Sequence, residues 1–365
     1  MIPLKDLRRQ YLAMKEEMDA ALMDTVASGS FVMGDAVSDL ERQLADYVGV
    51  KHCISCGNGT DALLLSLTAL DIGTGDAVFV PDFTFFATAE VVASRGATPV
   101  FVDVCPSDFN MDVSDLESKI TDVVREGRLR PAAVIAVDLF GLPARYDRIK
   151  PVCQQHAMWL IEDGAQGFGG SLRGQKSCSF GDFSTTSFFP AKPLGCYGDG
   201  GAVFCNNDEW AERLRSLRVH GKGSDKYDNR HIGMNSRLDS IQAAILQVKL
   251  RHFDQELDAM HSIAKVYHER LRDKLSVPVV EPDAVSSWAQ YVVQTDHRDD
   301  LQRRLNAAGI AAAVYYPRTM SQQSAFAYLH QQPCPEALRL TQRVLALPMH
   351  PYLTDDEIQL VTTTI

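Results

Sequence analysis

The 365-residue chain has no apolar run of the roughly 18 residues needed to span a membrane. Its opening, MIPLKDLRRQY, lacks the apolar core of a secretion signal, which points to a cytoplasmic protein. Basic residues are in deficit: 36 Lys and Arg face 47 Asp and Glu, a net charge of -11. That balance argues against nucleic acid or an anionic membrane as partner. Neither an internal repeat nor a low-complexity tract occurs, so solenoid and linker architectures are set aside. Eight cysteines are scattered rather than framed, as expected of reduced thiols. Cys53 and Cys56 have C-x-x-C spacing, but no second pair or His-x-x-x-His partner follows, so small buried side chains read better than a metal or redox site.

What is present is an alternation. Apolar runs at 52–55, 77–81, 98–103, 132–137, 158–162, 182–186 and 201–204 read as strands, with helical periodicity at 60–70, 85–95, 112–124 and 146–156. This pattern predicts an α/β fold around a mainly parallel sheet flanked by helices. Residues 3–28 and 37–48 read as helices before it. A long helical stretch at 237–272 has no internal Gly or Pro and should lead to a smaller C-terminal α+β domain. There, 288–294 and 312–316 read as strands, 298–308 and 336–346 as helices. The expected division is 1–235 as the large domain, 236–274 as a connecting helix and 275–365 as the small domain.

Three segments carry chemistry. Ser55–Leu63 places a glycine-containing loop between a strand and a helix, where backbone N–H groups and the Thr60 hydroxyl suit a phosphate. The same residues also suit a plain N-cap by Asn58 or Thr60. Leu160–Gln166 sets Glu162, Asp163 and Gln166 at the carboxyl end of a strand, where parallel sheets bind ligands. A carboxylate there can pair with a cationic ring nitrogen, or cap the next turn. Ser184–Gly201 holds Lys192 in an apolar, Pro- and Gly-rich bend, and a desolvated lysine is a competent amine nucleophile toward an aldehyde. Each segment alone has a bland reading. Their order, a phosphate loop, then an aspartate on a strand, then a loop lysine, supplies what pyridoxal phosphate chemistry asks of a protein.

On these segments the chain resembles the DegT/DnrJ/StrS nucleotide-sugar aminotransferases, a branch of the aspartate-aminotransferase-like, fold-type I enzymes. The likeness runs through SGSFVMG (28–34), GNGTDAL (57–63), DFTFFA (82–87), IEDGAQ (161–166), SFFPAKPLGCYGDGG (187–201), GMNSRLDSIQA (233–243) and LPMHPYL (347–353). The resemblance implies that Lys192 forms the Schiff base with pyridoxal 5'-phosphate and shuttles a proton. It implies that Asp163 pairs with the pyridinium nitrogen, Gln166 meets the ring hydroxyl and Phe85 stacks on the ring. Gly59, Thr60 and Ser187 would hold the phosphate, with Asn235 reaching it from a neighbouring subunit, hence a homodimer with shared sites. Gly29, Ser30, Phe31, Arg237, Tyr315 and Tyr316 fall where the family touches the nucleotide sugar. Asp138 and Phe189 stand where many members have histidine, and Tyr315-Tyr316-Pro317 replaces a common His-Tyr-Pro.

Within the family the stretch 188–201 and DFTFFA look most like the branch acting on UDP-2-acetamido-2-deoxy-3-keto-glucuronic acid. That implies L-glutamate as amino donor and a place in making diacetamido-mannuronic acid for surface polysaccharide such as lipopolysaccharide O-antigen. The substrate carboxylate would need a cation, for which Arg237 and Arg318 are the candidates. Two other readings stay open: C4 amination of a UDP- or dTDP-linked 4-keto sugar, and a sensory or binding protein built on the same fold.

Overall fold

The computed structural model describes residues 1–225 and 227–365. Its centre is a seven-stranded sheet: β1 (His52–Cys56), β2 (Asp76–Pro81), β3 (Thr98–Val102), β4 (Arg130–Val137), β5 (Trp159–Asp163), β6 (Phe183–Ser187) and β7 (Gly201–Cys205). The spatial order is β1-β7-β6-β5-β4-β2-β3. β2, β3, β4, β5 and β6 pair in parallel, while β7 runs antiparallel to both β1 and β6. Every expected strand of this sheet is present within two residues at each end.

The strands are apolar throughout because helices cover both faces. The period of two sorts them: Val78 and Val80 of β2, with Ala133, Ile135 and Val137 of β4, pack on Leu63, Leu67, Val91 and Val92 of helices Gly59–Ala69 and Ala87–Ser94. Ala77, Phe79, Val134 and Ala136 point the other way, onto Leu116, Ile120, Ile149 and Val152 of helices Val113–Glu126 and Tyr146–Gln155. The long helix Ser240–Leu271 packs along Lys15–Ser28 and Asp35–Val48 and then crosses to a two-stranded sheet, Tyr291–Gln294 antiparallel to Val344–Leu347. No helix among the described residues is long and apolar enough to cross a membrane.

Several expectations are corrected. The helix expected over 3–28 is an extended arm followed by two helices, Leu7–Ala13 and Lys15–Ser28, broken at Met14. The arm is held by long-range pairing instead: Ile2 N–H donates to Gly309 O (2.8 Å), Ala311 N–H to Ile2 O (2.9 Å) and Met349 N–H to Leu4 O (3.1 Å). The strand expected at 312–316 pairs only at Ala313, opposite Ala346; Val314, Tyr315 and Tyr316 turn inward against the core of the large sheet. The helix expected over 336–346 ends at Arg343, and the apolar run 344–347 becomes a strand, since a short buried run does not declare its period. Helices Asp208–Leu217 and Asp355–Thr364 went unread.

One buried polar junction fixes the sheet edge that leads into the glycine loop. Glu41 Oε1 accepts the N–H (2.9 Å) and hydroxyl (2.7 Å) of Ser55 on β1. Arg218 pairs with the same carboxylate and donates from Nη1 to Ser55 O (2.7 Å). Both side chains are nearly covered, so removing one charge strands the other. Arg218→Met should therefore lower folding stability by about 3 kcal/mol, measured as an earlier unfolding midpoint in urea.

Candidate active site

Because β1, β5 and β6 run in one direction, their carboxyl ends open on the same side of the sheet. Strand register does the rest. Gly201 of β7 lies opposite Cys56 on one side and Ser187 on the other. The loop after Cys56 then crosses directly over Gly201: a Cβ there would sit 2.4 Å from Asn58 O and 2.8 Å from Gly59 N. Gly59 in turn faces Ser187, whose Cβ is 2.7 Å from where a Gly59 Cβ would be. Asn58 caps the helix by accepting the Asp61 N–H (2.8 Å), so the plain N-cap reading holds as well. The first-turn N–H groups of Gly59 and Thr60 have no intrahelical acceptor and open on the cavity beside Ser187. Ser236 Oγ braces this loop, accepting from Gly57 N–H (2.9 Å) and donating to Asp61 Oδ2 (2.6 Å).

Lys192 rides a loop between β6 and β7. The loop is closed at its base by Phe188 N–H to Gly200 O and Cys196 N–H to Phe188 O, both 2.8 Å, over buried Phe188, Leu194 and Cys196. Burial pushes the Lys192 ammonium below its usual range, and the Asp163 carboxylate pulls it back up. Asp163 ends β5, buried. Its Oδ2 accepts the Thr88 hydroxyl (2.9 Å) and its Oδ1 the Ala165 N–H (3.2 Å), so it also braces its own turn. Burial raises its pKa, opposed by the Thr88 bond and by Lys192. Neighbouring Glu162 alternates to the other face, where the N–H groups of Cys178 and Phe180 and the Ser184 hydroxyl occupy it; it is structural.

These groups line one cavity of about 630 Å³. Of the residues expected at the site, Gly59, Thr60, Phe85, Asp163, Gln166, Ser187, Lys192, Tyr315 and Tyr316 all face it. Phe85 is 54% exposed, its ring bare to the cavity. The Gln166 amide is partly committed, accepting from Phe140 N–H (2.7 Å) and donating to Tyr316 OH (3.2 Å). Gly29, Ser30, Phe31, Asn235 and Arg237 do not line the cavity of their own chain. The segments that carry them meet elsewhere, with Val32 bridged to Asp239 and Ser240 N–H donating to Phe31 O (2.9 Å), while Asn235 is bridged to Val219. Sequence reasoning missed Thr88, which sets Asp163, and Gln290, which reaches the cavity from beside the two-stranded sheet. Nothing in the local sequence around either marks it.

The residues fit pyridoxal phosphate. A partly desolvated lysine, a buried carboxylate with unspent negative charge, a bare aromatic ring and a side-chain-free cradle at a helix start face one another across a cavity of ligand size. The comparisons agree. A model of the DegT/DnrJ/EryC1/StrS aminotransferase family matches residues 12–365. A Pseudomonas aeruginosa protein named UDP-2-acetamido-2-deoxy-3-oxo-D-glucuronate aminotransferase is 41% identical, covering 100% of this chain and 99% of its own. A UDP-N-acetyl-3-dehydro-alpha-D-glucosamine 3-aminotransferase of Acidithiobacillus ferrooxidans is 40% identical, covering 100% and 97%. The crystal structure of a DegT DnrJ EryC1 StrS aminotransferase from Brucella abortus superposes with a TM-score of 0.98 at 45% identity, covering 100% and 98%.

The electrostatics make a direct prediction. In cofactor-free protein, Lys192 should react with a small amine reagent at a lower pH than surface lysines, because burial favours its neutral form. Asp163→Asn removes the charge that favours the ammonium and should lower that midpoint further. Competitive labelling followed by peptide mass spectrometry measures both.

Proposed function

The chain belongs to the DegT/DnrJ/EryC1/StrS aminotransferase family and is a pyridoxal-phosphate-dependent sugar aminotransferase; from that premise we propose that it carries an amino group from L-glutamate to carbon 3 of a UDP-linked 2-acetamido-3-keto sugar. The observation that carries this reading is the convergence of Lys192, Asp163 and the Gly59–Ser187 cradle on one cavity, together with the substrate named for two full-length relatives. When bound, the cofactor supplies an electron sink for the pair left at the substrate carbon.

The chain's own residues do the rest. Lys192 Nζ would hold the cofactor aldehyde and move the proton at the substrate carbon; burial, which disfavours its ammonium, suits it to both tasks. Asp163, oriented by the Thr88 hydroxyl, would keep a proton on the ring nitrogen. Gly59, Thr60 and Ser187 would take the phosphate, Phe85 would cover one ring face, and Gln166 would present its amide to the ring oxygen. Tyr315 and Tyr316 form the wall against which the sugar is held.

A second copy of the chain would bring the remaining residues. Gly29–Phe31, Asn235 and Arg237 sit outside their own cavity, beside exposed apolar Phe31, Val32, Met33 and Ile232, which suits an interface delivering them to a neighbour's site. We take the uronic acid as the substrate, its carboxylate paired with Arg237 or with exposed Arg318. The same reading keeps 1–235 as the cofactor-binding domain, 236–274 as connector and 275–365 as the smaller domain.

Purified protein given pyridoxal phosphate should develop a visible or near-ultraviolet band that borohydride shifts and fixes on Lys192. Lys192→Ala should abolish both, and a wild-type protein without such a band sinks the reading. Asp163→Asn should retain the band and lower turnover at least 100-fold. Glutamate-treated enzyme offered a panel of UDP- and dTDP-keto sugars should convert the 3-keto uronic acid; conversion of 4-keto sugars alone overturns the proposed regiochemistry. Mixing two inactive variants, one altered at Lys192 and one at Arg237, should restore up to about a quarter of activity if sites are shared.

A further inference from the structure

Behind the lysine loop, apart from the main cavity, lies a second, small chamber of about 30 Å³. Lys5, Gln10, Lys192, Glu256, His350 and Tyr352 line it, and its volume admits a single water. Lys5 is there because the N-terminal arm is not helical. Pairing of Ile2 with residues 309–311 and of Leu4 with Met349 delivers the next side chain, Lys5, against His350 and the underside of Lys192.

Two carboxylates, Glu256 and Asp6, face the chamber, and each has other partners. Glu256 faces Lys5, but its oxygens are already engaged by Gln10 Nε2 (3.0 Å to each) and by Tyr352 OH (2.6 Å). The same carboxylate is shared with a second buried lysine, Lys249, which stacks 4.5 Å from the Tyr197 ring and has no hydrogen-bond partner among the described residues. Asp6 also lines the chamber and pairs with Arg9 (3.3 Å). His350 adds no charge: burial, with Lys5 pressing the same way, holds it near 4, and its ring nitrogens lack hydrogen-bond partners among the described residues. From the main cavity, Asp163 is the group that favours a proton on Lys192.

We propose that Lys5 is a positioning residue for Lys192, its ammonium in the rear chamber disfavouring a proton on the Lys192 nitrogen and so keeping that nitrogen available as a base. A neighbouring cation is a recognised means of holding a reactive lysine neutral, and repulsion between two such groups is mutual. Lys5 shows its share: burial and, by less, Lys192 together lower it to about 8 against the pull of Glu256. Whenever the Lys192 nitrogen carries no proton that push is gone, which favours the Lys5 ammonium. This inference rests on Lys192 being the cofactor-bearing lysine.

Two measurements test it separately from that reading. In cofactor-free protein, competitive amine labelling read by peptide mass spectrometry gives the titration midpoint of Lys5. Lys192→Met, which removes the like charge, should raise it by about half to one pH unit. In protein loaded with pyridoxal phosphate, the pH at which the absorbance band titrates reports the proton on the Lys192 nitrogen. Lys5→Met should move that midpoint up by a similar amount, and Lys5→Arg, which restores the charge, should return it to the wild-type value. An unmoved Lys5 midpoint in Lys192→Met overturns the coupling, and this arm stands even if Lys5 variants fail to fold. Displacement of the band by Lys5→Arg as far as by Lys5→Met overturns the role of charge. A loaded protein without any Lys192-dependent band defeats the cofactor assignment instead, and leaves the first measurement to decide the coupling.

Discussion

The crossing of the glycine loop over Gly201 is the contact on which the site depends. β7 is antiparallel to strands on both sides, and at its first residue it pairs with Cys56 and Ser187 together. That places the end of β1 and the end of β6 one strand apart, with only a hydrogen atom of Gly201 between the sheet and Asn58 O. Any side chain at 201 would lift the loop, and with it the helix start that faces Ser187. The cradle is thus made by an absence of atoms at Gly59 and Gly201, and stiffened by Ser236 from a distant segment. The Arg218–Glu41–Ser55 junction anchors the strand that feeds it.

From that crossing, electrostatics follows by burial. Asp163 and Lys192 both lie where water is scarce, and each is driven toward its neutral form while partly sustaining the other's charge. A protein that only needed stability would have little use for this arrangement, since buried charges are costly unless well paired. Here neither group is fully satisfied by the protein: Asp163 has one hydroxyl and one N–H, Lys192 a distant carboxylate. That unspent capacity suits a cationic heteroaromatic aldehyde.

Much of this was legible in the sequence because the sheet is covered on both faces. Continuous apolar strands such as AVFV and AAVIAV stand out against amphipathic helices, and glycine and proline punctuate the loops that carry function. The order of Thr60, Asp163 and Lys192 was readable for the same reason: ligands gather at strand ends, and strand ends can be counted. Illegible were features decided by distant partners. The arm at residues 2–5 looks helical on its own and is extended because Gly309, Ala311 and Met349 offer it hydrogen bonds. Tyr315 and Tyr316 look like strand residues and instead form a cavity wall, since packing on the large sheet outweighs local preference. Thr88 and Gln290 carry no local mark at all; only the fold says that they face Asp163 and the cavity.

The arm also changes how the lysine loop should be understood. Seen from the main cavity, the loop is a perch that presents one amine to a ligand. Seen from behind, it is a thin partition, Pro190 to Pro193, between that cavity and a chamber built from the two ends of the chain. The N-terminal arm supplies Lys5, the long helix supplies Glu256, and the segment after the two-stranded sheet supplies His350 and Tyr352. Those elements meet only when the C-terminal region is docked on the rest. Protonation at Lys192 is therefore tied to a packing event some distance from the substrate. A displacement of the C-terminal region would alter the charge behind the lysine and, through Gln290, Tyr315 and Tyr316, the cavity wall in front of it as well.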